Sequence, residues 1–298
     1  MEAALFGLMQ AVLFGLLVGG VYALAGSGLT LIFGVMRIVN LAHGALLIAG
    51  AFLTYSICTA TGLDPFATIP VVGVVLFGLG RLIHKLVVQR AERGGEGTII
   101  LSTLALAMIL EGITILIWGH EPHTVATSYA RASIRLGDLV FPTAQVYGSA
   151  CALALLAALY VVLNHTWLGI AVRAATANPQ GAELVGIRVE RVNVAAFAFG
   201  VALTGAAGSI LAVLSPFTPD SGDQWIGLGL AIVVLGGMGS LGGALIGALV
   251  LGVAETLTAT YGSPAWATAM PFAVIVLTLL LRPQGIFGVR VREDVVSA

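Results

Sequence analysis

Apolar stretches long enough to cross a bilayer, roughly 20 residues each, recur along the chain at about 5–34, 44–62, 66–88, 98–118, 146–163, 194–214 and 264–281. The stretch 226–260 is long enough for two more, divided by a glycine cluster at 236–243. That pattern predicts an all-α polytopic integral membrane protein: about eight or nine transmembrane helices, some of them broken or re-entrant, in one transmembrane domain over 1–298. Composition leads to the same place. A soluble domain needs roughly 25% charged residues to wet its surface, and this chain has 9%, with a mean hydropathy of +1.06. Lipid must therefore solvate most of its surface. The 39 glycines fit as well, because small residues let membrane helices approach closely.

Charge orients the spans. Arg81, Lys85, Arg90 and Arg93 follow the third stretch, Arg173, Arg188 and Arg191 lie in 164–193, and Arg282, Arg290 and Arg292 follow the last span. These segments are expected to be cytoplasmic, including a C-terminal tail at 282–298. An odd number of spans then puts the N-terminus outside. Asp64, the loop from His120 to Gln145, and the segment holding Asp220 and Asp223 fall on the opposite side. No basic region precedes the first apolar run, so that run is expected to remain in the mature protein. A net charge of −1 gives no basic field for a nucleic-acid partner. Cys58 and Cys151 lie in apolar stretches and are expected to act as small buried hydrophobes rather than a disulfide.

Several chemistries can be set aside. Gly237-Met-Gly239-Ser-Leu-Gly242 matches the phosphate-cradling G-x-G-x-x-G, but no charged residue stands between Asp223 and Glu255. A dinucleotide fold needs a soluble βαβ unit around that turn. Here the glycines are expected to allow a tight reversal or broken helix, and close packing of the helix that follows. Lys85 is the chain's only lysine and lacks P-loop surroundings, so ATP hydrolysis through such a loop would fall to another subunit. His120 and His123 flank Pro122, which spoils any helical metal pair, and they are expected in a solvated outer loop. No cofactor or metal is expected in this chain.

The segment GLTLIFGVMRIVNLAHGALLIAGAF, residues 28–52, joins two apolar runs through Arg37, Asn40 and His43 without an ordinary polar loop. Ionisable groups at membrane depth face a cavity or a partner, and interrupted helices free backbone groups that can line a pathway. For Arg37 two readings stand: pathway residue, or a short cytoplasmic turn. Asn40 and His43 favour a structural or pathway role. Glu111 lies mid-span and Glu255 nearer a span end; each needs a hydrogen bond, a cavity or interfacial water.

The stretch NHTWLGIAVRAATANPQGAELVGIRVERVN predicts two short helices. Thr166 caps the first, to about Ala175; Asn178 caps the second, with Pro179 at its first position and Gly186 as its stop. A membrane-surface helix would carry more Lys and Arg. Apolar Trp167, Leu168, Ile170, Leu184 and Ile187 favour docking into a partner.

GLTLIFGVMRIVNLAHGALLIAGAF, LGIAVRAATANPQGAELVGIRVERVNVAAFAFGVALTGAAGSILA and GLAIVVLGGMGSLGGALIGALVLGVAETL closely resemble the LivH-type permease of branched-chain amino acid ABC importers, in order, over about residues 10–288. The resemblance implies a second, LivM-like permease, two cytoplasmic ATPase subunits that bring the ATP and magnesium, a periplasmic solute-binding protein, and a multi-pass location in a bacterial inner membrane. It also implies that about 168–187 is the ATPase-coupling region, with Leu168, Arg173, Asn178, Pro179, Ala182, Glu183 and Gly186 as contact candidates. Ala45 departs from the family, where an acid often follows the glycine of Ala42-His43-Gly44. Leucine, isoleucine and valine are the expected solutes; look-alike importers carry urea, short-chain amides or aromatic compounds.

Packing changes are expected at 37–43 and at 236–243, with Arg37, Asn40, His43, Glu111, Gly237, Gly239, Gly242 and Glu255 as path or broken-helix candidates. Either Gly239→Val or Gly242→Val is expected to abolish transport while the complex still assembles. A self-sufficient carrier or channel with a proton relay is the rival reading. It leaves the capped helices without a purpose.

Overall fold

The computed structural model describes residues 2–282 and 284–287. Twelve α-helices run in order: α1 (Glu2–Met36), α2 (His43–Thr61), α3 (Pro65–Ile83), α4 (Gln89–Ala91), α5 (Glu96–Trp118), α6 (Thr143–His165), α7 (Trp167–Ala177), α8 (Pro179–Leu184), α9 (Val189–Leu214), α10 (Gly222–Gly236), α11 (Leu241–Tyr261) and α12 (Pro264–Leu281). A π-helical turn, His84–Val88, joins α3 to α4. Eight helices among the described residues are long and apolar enough to cross a membrane. The chain is a multi-pass membrane protein. Arg290 and Arg292, assigned by charge to the cytoplasmic tail, lie outside the described residues.

Local chemistry sets the helix ends. Asp64 accepts from the Phe66 N–H at 2.9 Å and Pro65 takes the first helical position, so α3 starts there. Gly62 stops α2 with φ +71°, where a side chain would be strained. Asn178 accepts from the Gly181 N–H at 2.9 Å, and Gly186 follows α8 with φ +87°, as the sequence predicts. Thr166 differs. It stands at the N-cap of α7, but its hydroxyl donates back to the Val162 carbonyl of α6 at 2.5 Å and caps nothing. The segment between α5 and α6 also holds what an all-helical reading omits: an antiparallel hairpin, β1 (Ser133–Leu136) and β2 (Leu139–Pro142), turned at Gly137 with φ +64°.

The helices are held together at small residues. Gly15 and Gly19 of α1 face Ala248 and Gly252 of α11, and a Cβ on Gly252 would lie 2.5 Å from the Gly19 nitrogen. Backbone-to-backbone contact of this kind is the main attraction available between helices in lipid, where the hydrophobic effect does not act. We expect Gly252→Val to cost about 1–3 kcal/mol by overpacking. Gly112→Val should cost far less, because a Cβ there meets nothing within 4 Å. Thermal unfolding in detergent compares the two; equal losses would refute this packing.

α9 is the most enclosed helix, packed by α1, α2 and α3. Across α2 and α9, Thr54 donates a buried hydrogen bond to Ser209 at 2.7 Å, beside the Gly50–Gly205 contact. At one end of the bundle, Phe52 meets Trp118 and Phe217 at ring distances of 4.9 Å. There His123 and Phe217 exchange backbone hydrogen bonds of 2.9 Å. His123 is thus half-buried against rings instead of solvated. This is the hairpin end; α7 and α8 lie at the other. Cys58 and Cys151 are free thiols, both packed against the same core cluster.

Candidate functional site

α1 is about 50 Å long at 1.5 Å per residue, more than a 30 Å hydrocarbon core requires. It ends at Met36, where Arg37 takes φ +56°, an uncommon conformation for a residue with a side chain. Arg37 is exposed, while Asn40 and His43 are 0% and 1% exposed. The Asn40 side-chain oxygen accepts from the Ala42 N–H at 3.1 Å, and the Asn40 carbonyl accepts from the His43 N–H at 3.2 Å. Thr103 of α5 accepts from the Leu41 N–H at 3.2 Å. The interruption is thus a built turn.

The turn lies at depth. The His43 Nδ1 is 3.2 Å from the Thr204 hydroxyl, well inside α9. That hydroxyl donates to the Gly200 carbonyl of its own helix at 2.8 Å, so Thr204 links the His43 ring to the α9 backbone. The His43 Nε2, against Gly229, and the Asn40 amide nitrogen are both buried without a hydrogen-bond partner. Gly222, the first residue of α10, packs on Gly44 and Ala45, so α10 also begins inside the bundle. Its 15 residues span only about 22 Å.

α10 ends at the glycine break. Gly237 and Gly239 have φ of +96° and +84°, and Ser240 caps α11 by accepting from the Gly243 N–H at 3.1 Å. A Cβ on Gly239 would lie 3.0 Å from the Gly34 Cα of α1. Beneath the break, the Ile286 and Phe287 N–H groups donate to the Leu235 and Gly236 carbonyls at 2.8 and 3.2 Å. The tail segment therefore satisfies the end of α10. Gly242 differs from its neighbours, because a Cβ there meets nothing within 4 Å. Packing demands a glycine at 239 and not at 242.

A cavity of about 530 Å³ joins this break to the α7 helix. Gly239, Gly242 and Leu241 line one side, Thr30 and Gly34 of α1 another, and Tyr160, Asn164, Gly169, Arg173 and Thr176 of α6 and α7 the rest. Arg173 donates to the Leu163 carbonyl, which ties α7 to the end of α6. Ala171 and Ala175 bury against Val35 and Val192, so α7 wedges between the end of α1 and the start of α9. Leu168 is half-buried and Ala182 buried; Asn178, Pro179, Glu183 and Gly186 are exposed. Beyond them, Leu184 and Val185 are 89% and 77% exposed.

A second cavity, of about 470 Å³, opens near the hairpin end and is lined by Tyr22, Asp223, Gln224, Trp225, Glu255 and Thr268, among others. One Glu255 carboxylate oxygen is buried without a partner. Glu111 lines neither cavity; it stands half-buried on α5. In the segment between α5 and α6, Tyr129 donates to Asp64 at 2.7 Å; burial first, and then that carboxylate, push its hydroxyl well above the usual tyrosine range. The structure thus brings Gly239 and Gly242 together with Arg173 in one cavity, leaves Gly237 in the break outside its lining, and sets Glu255 apart in the second cavity. Thr30, Tyr160, Asn164 and Thr176 escaped the sequence reading. Their only signal was polarity within or beside apolar runs.

The model of a family described as "branched-chain amino acid transport system / permease component" matches residues 11–279. The chain is 29% identical to the probable branched-chain amino acid transport permease protein LivH of Methanocaldococcus jannaschii, covering 88% of this chain and 87% of that one. It is 27% identical to the high-affinity LivH permease of Escherichia coli K12, covering 91% and 92%. The ribose import permease RbsC of the same organism is 27% identical, covering 88% and 81%.

Proposed function

The chain belongs to the family of permease components of branched-chain amino acid transport systems, and we propose that it is the membrane-spanning subunit of a binding-protein-dependent ABC importer for leucine, isoleucine and valine. Two partner ATPases hydrolyse the ATP, a second, LivM-like permease completes the path, and a periplasmic binding protein delivers solute. The α7–α8 end, with Arg173, Arg188 and Arg191, faces the cytoplasm of a bacterial inner membrane. The hairpin end faces outward.

One observation carries the mechanism: α7 and the glycine break line the same cavity. Closure of the ATPases pushes α8 and α7. Because α7 is wedged between α1 and α9, the push reaches the Gly34–Gly239 contact and shifts α10 and α11 against α1. The bundle then rocks between outward- and inward-facing states. Loss of this chain from its native host should remove high-affinity leucine uptake, and isoleucine and valine should compete for it. Competition by urea, amides or aromatic compounds instead would refute the solute assignment.

The outer cavity supplies the entry. Asp223 and Glu255 suit the ammonium of an amino acid, and Trp225 and Tyr22 suit both a cation and an apolar side chain. Glu255→Gln should lower uptake at subsaturating leucine about tenfold, with ATP hydrolysis by the assembled complex retained. Unchanged uptake removes Glu255 from the path.

A further inference from the structure

A third cavity, of about 550 Å³, lies between α3 with its π-helical continuation and the first half of α9. Arg81, Lys85 and Arg191 line it against a single carboxylate, Glu190. That carboxylate is already engaged, accepting from the Gln89 amide at 2.7 Å. The cavity's other wall is apolar: Phe77, Val194, Ala195 and Ala198. From Glu190 to Ala198 is about 12 Å along α9. The charged groups sit at the α7–α8 end, and the apolar wall runs from there toward the middle of the bundle, where Gly80 packs on Ala198 and Val201. Exposed Leu82 and Leu86 flank the cavity on α3 and the π-helical turn.

We infer that this cavity binds an anionic membrane lipid, with the phosphate of its headgroup held by Arg81, Lys85 and Arg191 and an acyl chain along Phe77 and Ala198. Positive residues at this end help to orient the chain wherever they stand. Orientation does not require three of them to line one cavity, nor the only acid among them to be held by an amide. A free phosphate ion would use the charged mouth and leave the apolar wall uncovered. An amphiphile covers both. Basic pockets between transmembrane helices take anionic headgroups for this reason.

The test is native mass spectrometry of the full chain, purified and delipidated in neutral detergent. It is titrated with phosphatidylglycerol, with phosphatidylcholine of the same acyl chains, and with inorganic phosphate. Phosphatidylglycerol should bind about tenfold or more tightly than phosphatidylcholine. Arg81→Gln with Lys85→Gln should remove that preference, and Arg131→Gln with Arg135→Gln, in the outer loop, should not. Glu190→Gln should strengthen binding, a gain that misfolding cannot produce. Equal binding of the two lipids would overturn the inference, as would a preference that survives the Arg81 and Lys85 changes or is unmoved or weakened by Glu190→Gln. Inorganic phosphate binding as tightly as the lipid would also overturn it, because the acyl chain would then contribute nothing.

Discussion

Gly239→Val is expected to reduce solute uptake roughly a hundredfold or more, while the chain still inserts and assembles with the proposed partners. Two costs add at this residue. A side chain at φ +84° leaves the ordinary allowed regions, which costs about 1–3 kcal/mol and more for a β-branched residue. The new Cβ would also lie 3.0 Å from the Gly34 Cα, and backbone cannot swing away as a flexible side chain can. Each 1.4 kcal/mol is tenfold in a population, so a combined penalty near 3 kcal/mol empties this arrangement of the break. Gly242→Val is the control. Its Cβ enters open space beside the cavity shared with α7, and uptake should stay within a few-fold of wild type. The sequence alone makes the two glycines equivalent. Reconstituted uptake of labelled leucine, alongside recovery of the assembled complex, separates them; equal loss in both variants would point to the cavity rather than the Gly34 contact.

If α8 is the docking surface of the proposed ATPase partners, Leu184→Asp with Val185→Asp should detach them and stop uptake, without unfolding the permease. These two side chains are among the most exposed apolar residues in the chain, at the tip of the short α8. Burying an aliphatic side chain gains about 1.5–3 kcal/mol, so burial of the pair in the proposed contact would contribute roughly a hundredfold or more to association. Placing two carboxylates in that contact reverses the sign. The fold does not depend on either residue, since Ala182 supplies the buried side of α8. Co-purification of the ATPases and the thermal stability of the permease are the paired readouts. ATPases retained at wild-type stoichiometry would show that another surface couples.

How much of this was legible in the sequence depends on the range of the interaction. Local chemistry was readable: Asn178, Pro179 and Gly186 bound a helix by their own backbone demands, and Gly237 and Gly239 announced a break. The interruption at Arg37 to Ala42 was visible because polar residues sat where lipid solvates the chain. Long-range geometry was not readable. Thr166 looks like a cap, but its hydroxyl is turned back onto the Val162 carbonyl of α6 and accepts from no N–H of α7. Nothing local distinguishes Gly242 from Gly239, since only the position of Gly34 does. The hairpin at 133–142 has four-residue strands with too little alternation to stand out from a loop. The π-helical turn at His84–Val88 leaves no mark in the apolar pattern. The cavity joining α7 to the break arises from four separate helices, and no segment carries its signal.

The most direct measurement purifies the tagged chain from its native membrane in mild detergent, identifies what accompanies it, and reconstitutes the material for leucine uptake with and without ATP. Two ATPase subunits and a second permease should co-purify, and uptake should require both ATP and the binding protein. Recovery of this chain alone, with leucine flux into liposomes in the absence of ATP, would contradict the importer assignment and make the protein a self-sufficient carrier or channel.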